Sequence, residues 1–514
     1  MKVDTRNLEA GAVIETDVYI VGAGAAGITI AHQLRGTALD VCLLEGGGLE
    51  HSKRSQDLYE GEMATIYREG SKRAGFDRLY VGRSRLRFFG GTTNHWNGWC
   101  RPLEPLDFEA RDWVPNSGWP ISRTDLDPWY DKARAYVEIP AFEEDHGYGR
   151  HEGRRMVVLA QSPKIVTRLF HWSPPTRFGQ VYREDVLAAR NVRLFLESNV
   201  VRFAADADGR RVDHVDVQVE DGPAIKIRAK AFVLSCGGIE NPRLLLNSDD
   251  VQRSGLGNDN DVVGRYFLEH PHVRSVGQVL VLDHQGIRGL TDLYFSARKD
   301  RRAGGRSMGV FVTSPEVQRE ERLLNFSVQM RDRKKEELSR FGRSVKEALT
   351  GIRDLGRFPV RPKEPYTGRL FARAEQVPNP DSRVTLTDQT DRLGLRRVRL
   401  DWQLTEQDCR SIRRSMEILA QEFSGSGIGR MRIRMDSPTE WPPTRGGDHH
   451  MGTTRMSDDP KKGVVDRDCR VHGLANLFVG GSSVFATCGF CNPTFTITAL
   501  AVRLADHLRT KMTR

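Results

Sequence analysis

Two histidines and an asparagine near the end of this 514-residue chain are the strongest candidates for chemistry. His449 and His450 lie beside a glycine-rich turn, and Asn492 precedes an apolar helical stretch that begins at Pro493. An imidazole, with an unperturbed pKa of about 6.5, can accept a proton near neutral pH. On an extended backbone neighbouring side chains point to opposite faces, so we expect only one of the two histidines to face the reacting group.

A phosphate-binding turn is predicted near the start of the chain, at Gly22-Ala-Gly24-Ala-Ala-Gly27. Gly22 allows a tight turn, Gly24 lets the backbone approach a pyrophosphate, and Gly27 lets a helix pack closely on a strand. A strand precedes the turn, and a helix and a second strand follow it, at residues 16–21, 28–34 and 39–44. Glu45 ends the second strand and can accept a hydrogen bond from a ribose hydroxyl. The unit predicts a bound dinucleotide with its phosphates at the helix N-terminus.

Two further glycine turns favour additional strands in the same parallel sheet. The buried stretch 231–235 runs into Cys-Gly-Gly at 236–238 and then a helix, and the strand 477–479 ends at a Gly-Gly pair. Cys236 is interpreted as a small core residue and not as a nucleophile. The alternation over 191–219 predicts two more strands.

The segment 83–105 is predicted to be a loop that wraps a flat aromatic ring, with an ordinary surface loop as the alternative. Gly90-Gly91 breaks the chain, and Asn-His-Trp-Asn follows at 94–97. Because Trp96 and Trp99 stand so close together, full exposure of this loop is not expected.

From residue 270 onwards, strand-like runs follow one another without helical crossovers, which predicts an antiparallel sheet and a second domain. These runs are 273–282, 308–313, 323–330, 369–376, 383–387 and 398–404. A clear helix is predicted at 406–423. The basic stretch 331–357 could form a helix that lies on a membrane or a partner, but we favour a helix packed over the sheet.

Length and composition point to a soluble two-domain protein. The net charge of +10 is spread along the chain, which argues against nucleic-acid binding. The sequence has no apolar run that could span a bilayer, and its start lacks the apolar core of a secretory signal, so we expect a cytoplasmic protein. The seven cysteines are mostly scattered. Cys488 and Cys491 are interpreted as two free thiols lining the site, with a redox pair as the alternative and no metal site.

Taken in order, VGAGAAG with Glu45, GGTTNHW, SCGGIENPR, HHMGTTRM, VHGLANLFVGG and NPTFTITALA resemble the glucose–methanol–choline (GMC) oxidoreductases. The branch with pyranose 2-oxidase and bacterial sugar, glycoside and polyol oxidases or dehydrogenases is the most similar. The resemblance implies an α/β fold, with a Rossmann-like FAD-binding domain and a substrate domain on a mainly antiparallel sheet. The expected FAD-binding domain is discontinuous, at 1–110, 191–270 and 446–514, and the substrate domain comprises 111–190 and 271–445.

The resemblance also assigns roles to residues. His449 fits the family's active-site base in H-x-x-G-[ST], whereas His450 does not, and Asn492 matches the family's second polar group. His95 matches the histidine that carries a covalent flavin bond in pyranose 2-oxidase, although related loops also hold FAD without a bond. The expected FAD contacts are Gly22, Gly24, Ala25, Ala26, Gly27, Glu45, Gly46, Arg83, Gly90, Gly91, Thr92, Asn94, His95, Trp96, Asn97, Val200, Val201, Cys236, Gly237, Gly238, Asn241, Gly480, Gly481, Asn492, Pro493 and Thr494.

The expected reaction is oxidation of an alcohol carbon of a sugar, glycoside or polyol, with hydride transfer to flavin N5 and the hydroxyl proton taken by His449. Oxygen, a quinone or a carrier protein would then accept the electrons. Three alternatives remain open: oxidation of an amino sugar in a biosynthetic pathway, a flavin lyase or isomerase, and a non-catalytic flavin carrier that docks through 331–357.

Overall fold

Three β-sheets and their covering helices make up the part of the chain that the computed structural model describes. The described residues are 1–64, 79–141, 162–281, 307–332, 366–427, 429–435 and 444–512. The strands are β1 (Lys2–Val3), β2 (Val13–Val21), β3 (Val41–Leu44), β4 (Gly61–Met63), β5 (Trp99–Cys100), β6 (Ile165–Trp172), β7 (Val192–Phe195), β8 (Ser198–Ala205), β9 (Val212–Val219), β10 (Ala224–Leu234), β11 (His272–Val281), β12 (Ser307–Thr313), β13 (Phe326–Asp332), β14 (Tyr366–Ala374), β15 (Arg383–Thr390), β16 (Arg396–Asp401), β17 (Gly429–Ile433), β18 (Thr444–Arg445) and β19 (Leu477–Val479). The helices are α1 (Ala25–Leu34), α2 (Lys53–Gln56), α3 (Tyr80–Arg83), α4 (Pro105–Phe108), α5 (Arg123–Val137), α6 (Phe178–Val181), α7 (Arg183–Ala188), α8 (Gly237–Asn247), α9 (Pro315–Glu320), α10 (Glu406–Gly425) and α11 (Pro493–Met512), with 3₁₀ turns at Thr5–Asn7, Asp57–Tyr59, Gly91–Asn94 and Ser482–Val484.

The first sheet is the predicted parallel one. Its strands run in the order β1-β7-β3-β2-β10-β9-β8, and β19 pairs with the C-terminal part of β10. The pairs from β1 to β10 and the β10–β19 pair are parallel, whereas β9 and β8 add an antiparallel hairpin. Every residue of β3 is buried, as expected for a strand covered by helices on both faces. The prediction of two strands at 191–219 is wrong: β7, β8 and β9 form there, because the chain turns at Glu197 with a positive φ of 52°.

Parallel pairing brings the carboxyl ends of four strands to one edge of this sheet. Val21 lies beside Leu44 and Leu234, and Leu234 lies beside Val479. The residues that follow these strands therefore meet at that edge, where ligands of open α/β sheets bind.

The second sheet is antiparallel throughout, as predicted. Its order is β17-β11-β14-β13-β12-β6-β5, with β18 paired to the start of β11. This sheet places the start of β11 and the end of β14 next to each other, with His272 opposite Arg373.

Two of the predicted strands do not belong to that sheet, which corrects the sequence analysis. β15 and β16 pair with each other, and β16 pairs in parallel with β4 from the N-terminal part of the chain. The reason is packing: Val384 and Leu400 are buried in a separate cluster with Phe267, Val81 and Trp402. An alternating strand pattern identifies a buried face, but not the partner that covers it.

The helix predicted at 406–423 is confirmed as α10. It begins with a capping box in which Thr405 and Asp408 exchange side chain to backbone hydrogen bonds. The basic stretch 331–357 lies, beyond Asp332, outside the described residues. The predicted domain limits stay a prediction, and two short strands from 1–110, β4 and β5, pair outside the first sheet. Among the described residues, no helix is both long and apolar enough to cross a membrane.

Candidate active site

The turn between β2 and α1 requires glycine at two positions for packing. Gly22 has a φ of +96°, and a Cβ there would lie 2.9 Å from the Cys236 Sγ and from the Ser235 carbonyl oxygen. A Cβ on Gly27 would lie 1.9 Å from the carbonyl oxygen of Gly22, so the first turn of α1 packs directly on the loop. This is the close helix–strand packing predicted for the motif.

Gly24, the middle glycine of the turn, faces open space. A Cβ built there meets no protein atom within 4 Å, and Gly24 is the residue that precedes the first turn of α1. The N–H groups at the start of this ten-residue helix have no helical partners and favour an anion. The position is therefore open to a phosphate group.

Glu45 ends β3 beside this turn, and its carboxylate is held by the backbone. One oxygen accepts a hydrogen bond from the N–H of Ala23 at 3.0 Å, and the other from the N–H of Gly47 at 2.9 Å. A carboxylate offers about four lone-pair sites, so Glu45 can still accept from a hydroxyl. Glu45 also lines the cavity, which is the arrangement expected for a ribose contact.

A cavity of about 280 Å³ runs from this turn to the two histidines. Among the predicted FAD contacts, those in its wall are Gly22, Gly24, Ala25, Ala26, Glu45, Gly46, Gly91, Thr92, His95, Trp96, Asn97, Val200, Cys236, Gly237, Gly238, Gly481, Asn492, Pro493 and Thr494. The others lie outside the wall: Gly27, Arg83, Gly90, Asn94, Val201, Asn241 and Gly480. Asn241 shows why, because its amide accepts from the Cys236 N–H and donates to the Ser483 Oγ, and so supports the wall from behind.

The two neighbouring histidines contact different partners. The Nε2 of His449 lies 3.2 Å from the Nδ2 of Asn492, and both residues line the cavity. His450 also belongs to the cavity wall, but the Nε2 of its ring is bonded to the Tyr80 hydroxyl at 3.1 Å. The structure thus brings together the predicted pair of His449 and Asn492.

Four residues around His449 were missed by sequence reasoning. Glu269 accepts hydrogen bonds from the backbone N–H of His449 and of His270, and from the Tyr80 hydroxyl. The Nδ1 of His270 lies 2.8 Å from the Nδ1 of His449. The Nη1 of Arg373 lies 3.1 Å from the Oδ1 of Asn492. The run Glu-His-Pro-His at 269–272 could have signalled Glu269 and His270, whereas Arg373 has no local signal.

Burial dominates the electrostatics of this cluster. It lowers the pKa of His449 well below 6.5, and the neighbouring His270, His272 and Arg373 lower it further. Burial also lowers the pKa of His270 to about 4 and raises the pKa of Glu269 to about 7. Both imidazoles are therefore neutral at pH 7, and His449 can act as a proton acceptor.

The two thiols of the C-x-x-C segment do not lie in the cavity wall, which corrects the prediction that they line the site. Cys488 and Cys491 are fully buried and free. The Cys488 Sγ accepts from the N–H of Gln376, and the Cys491 Sγ donates to the Pro102 carbonyl. Burial raises the pKa of both thiols well above the ordinary range, so they are not thiolate nucleophiles at neutral pH.

The glycine-rich loop 83–105 borders the cavity with part of its length. Gly90 and Gly91 have positive φ angles of 98° and 52°, which let the chain turn sharply into the wall. Trp96 is partly buried and donates its Nε1–H to the Thr176 carbonyl, while His95 is exposed at the wall.

Family comparisons agree with this geometry. A model described as FAD dependent oxidoreductase matches residues 17–369, and one described as GMC oxidoreductase matches residues 378–501. The first covers well over half of the chain, so this is an FAD-dependent oxidoreductase, and its C-terminal part matches the GMC oxidoreductases. The enzyme class, the fold and FAD as cofactor are thereby confirmed.

The chain resembles several characterised enzymes at low identity. It is 24% identical to the fructose dehydrogenase large subunit of Gluconobacter japonicus, over 96% of this chain and 98% of that one. It is 26% identical to a C-glycoside 3-oxidase of Microbacterium trichothecenolyticum, over 97% of each. The solved structure of pyridoxine 4-oxidase from Mesorbium loti matches 96% of this chain and 99% of its own, with a TM-score of 0.55 and 18% identity. That match shows the fold alone.

The residues present fit FAD. The open space at Gly24 lies at the N-terminus of α1, Glu45 offers acceptors in the same wall, and the cavity extends from there to His449. We expect Gly24 and the start of α1 to hold the pyrophosphate and Glu45 to hold the ribose.

Two alanine substitutions in the turn should separate cofactor binding from folding. Gly24→Ala adds a methyl group to space that only FAD would fill, so we expect the FAD content to fall while the melting temperature of the FAD-free protein stays unchanged. Gly27→Ala should lower that melting temperature, because the methyl group would overlap the Gly22 carbonyl. Gly425→Ala, at an open position on α10, is the control for both measurements. Full FAD content in Gly24→Ala would contradict the placement of the pyrophosphate.

Proposed function

We propose that the enzyme oxidises an alcohol group of a sugar, glycoside or polyol to a carbonyl, with His449 as the base. The observation that carries the proposal is the contact of 3.2 Å between His449 Nε2 and Asn492 Nδ2 in the wall of the cofactor cavity. A neutral imidazole and an amide N–H side by side provide what an alcohol oxygen requires: one group to take its proton and one to donate to it.

In this mechanism the substrate hydroxyl replaces the hydrogen bond between His449 Nε2 and Asn492 Nδ2 and lies between the two side chains. His449 accepts the hydroxyl proton, and the Asn492 amide donates a hydrogen bond to the same oxygen as negative charge develops there. Bound FAD supplies the acceptor for the hydride that leaves the alcohol carbon. The electrons then pass to oxygen, a quinone or a carrier protein, so that the net products are a carbonyl compound and a reduced acceptor.

The positive charge of Arg373 beside the pair disfavours a cationic substrate, whereas Asp448, in the same cavity wall, acts in the opposite direction. The guanidinium of Arg373 contacts Asn492 and lies within the same buried cluster, so a cationic amino sugar would be repelled there. The names of two relatives, a fructose dehydrogenase and a C-glycoside 3-oxidase, support a sugar or a glycoside. A non-catalytic flavin carrier would not need a neutral buried histidine opposite an amide.

An anaerobic substrate screen tests this proposal. Sugars, glycosides and polyols are mixed with the FAD-loaded enzyme, and bleaching of the flavin absorbance is followed before any acceptor is added. We expect bleaching by at least one neutral polyhydroxyl compound and little by protonated amino sugars. Bleaching by amino sugars alone would contradict the substrate class, and no bleaching by any alcohol would contradict the reaction. Adding oxygen, a quinone or a cytochrome to the reduced enzyme then identifies the acceptor.

Substitution of each histidine should distinguish the base from its neighbour. General-base catalysis contributes about 10²–10⁴-fold, so His449→Ala should slow flavin reduction by that factor, with the FAD content unchanged. His450→Ala should cost much less, because its ring is bonded to Tyr80. Since the pKa of His449 is lowered, the wild-type rate should fall only on acidification well below pH 6.5.

Anaerobic stopped-flow reduction with one reactive alcohol measures both variants. The loss in His449→Ala should shrink at high pH, where more of the substrate is alkoxide. A near-normal rate in His449→Ala beside an inactive His450→Ala would transfer the role to His450.

We also propose a test of whether FAD is joined to His95. The ring of His95 is exposed at the cavity wall, which leaves it accessible to the cofactor. If a covalent bond forms, acid precipitation should leave the yellow colour in the pellet, and His95→Ala should release it to the supernatant. Free FAD released from the wild-type protein would show non-covalent binding.

A further inference from the structure

A chain of hydrogen bonds links the Cys488 carbonyl to His449 through His270. The Nε2 of His270 lies 3.2 Å from the Cys488 carbonyl oxygen. A carbonyl oxygen only accepts, so the Nε2 of His270 must carry the proton. Burial lowers the pKa of His270 to about 4, so the ring is neutral and its Nδ1 holds a lone pair.

That lone pair determines the proton position on His449. The two Nδ1 atoms lie 2.8 Å apart, and only one of them can donate. Because the Nδ1 of His270 accepts, the Nδ1 of His449 carries the proton. In a neutral ring, the Nε2 of His449 is then unprotonated and carries a lone pair.

The hydrogen bonds on the other side of the His449 ring, from Arg373 and Asn492, independently require the same tautomer of His449. A guanidinium only donates, so the Nη1 of Arg373 fixes the Asn492 oxygen as the acceptor of their 3.1 Å hydrogen bond. The Asn492 Nδ2 must then be the atom that faces His449, and an amide nitrogen only donates. Arg373 is itself buried, with its guanidinium 3.7 Å from the centre of the Trp99 ring, which limits its freedom to move.

We propose that His270 and Arg373 are positioning residues that hold His449 as the Nδ1–H tautomer, with a bare Nε2 directed at the substrate oxygen. The inference rests on the proposed function only in assigning His449 as the base; the tautomer follows from the contacts alone. The opposite tautomer would present an N–H to the hydroxyl and could not accept its proton. Arg373 acts through Asn492, whose amide would otherwise be able to turn its oxygen towards His449.

Variants at residue 270 test whether His270 holds the tautomer of His449. His270→Leu removes the acceptor, and we expect kcat to fall about 10- to 100-fold, by analogy with the loss that follows removal of the hydrogen-bond partner of a metal-binding histidine. His270→Asn keeps a hydrogen-bond acceptor, the amide oxygen, near the position of the His270 Nδ1, and should recover most of the lost kcat. In the His449→Ala background, His270→Leu should have no further effect, because it acts only through that ring.

Arg373→Met should lower kcat in the same way, and Arg373→Lys, which keeps a donor, should lower it less.

Nitrogen NMR of ¹⁵N-histidine-labelled protein reads the tautomer without reference to activity. Wild type should show one neutral ring protonated at Nδ1 whose signals vanish in His449→Ala, and His270→Leu should shift that ring towards Nε2–H. His472→Leu is the matched control, because it also removes a ring nitrogen bonded to a carbonyl, at Ser457. It should change neither kcat nor the His449 signals.

Three results would overturn the inference. The first is a wild-type His449 protonated at Nε2, which also decides the question if the His270 variants do not fold. The second is a loss of kcat on His270→Leu that is equally large in the His449→Ala background. The third is a folded, FAD-loaded His270→Asn that is as slow as His270→Leu. Failure of the proposed function looks different, because His449→Ala would then be near normal whichever tautomer the NMR reveals.

Discussion

The active site depends on the hydrogen bonds to the buried carboxyl group of Glu269. This group accepts hydrogen bonds from the backbone N–H of His270, the backbone N–H of His449 and the Tyr80 hydroxyl, and so joins three segments that are far apart in sequence. Burial of a carboxyl group without hydrogen-bond partners costs several kcal/mol. The three segments are therefore held at positions from which their donors reach the Glu269 oxygens. The spacing between the two imidazoles follows from this arrangement, because both of their backbones are anchored on one side chain.

The two main sheets contribute different halves of the chemistry. The parallel sheet gathers the ends of β2, β3, β10 and β19 at one edge, where glycine turns and Glu45 form the cofactor wall. The antiparallel sheet supplies the start of β11 and the end of β14, which carry His270, His272 and Arg373 to His449 and Asn492. His449 and Asn492 come from loops of the C-terminal segment, so the proposed catalytic pair lies where the two sheets meet.

Local patterns could predict the parts of the site that are encoded locally. The strand–glycine–helix unit at Gly22–Gly27 is one continuous segment, and the resemblance gave His449 and Asn492 directly. The neighbours of the pair could not be found in this way, because they come from segments far away in the sequence. His270 contacts His449 beside a bridge between Leu268 and Met451, and Arg373, which contacts Asn492, lies on β14. The same limit explains the misplaced strands β15 and β16 and the thiols of Cys488 and Cys491. These patterns are local, whereas the contacts that place the elements come from distant segments: β4 pairs with β16, and Gln376 and Pro102 contact the two thiols.

Arg373 has two opposing effects, one on the basicity of His449 and one on the Asn492 amide. Its positive charge helps to lower the pKa of His449, which keeps the imidazole neutral and ready to accept a proton but makes it a weaker base. The same guanidinium donates to the Asn492 oxygen, and hydrogen bonds in series polarise one another, so the amide N–H becomes a stronger donor. In the proposed mechanism, that donor would face the oxygen on which negative charge grows as the proton leaves. In that mechanism, the basicity lost at His449 would thus be offset by stabilisation of the alkoxide at Asn492, which would let a buried neutral histidine serve as the base.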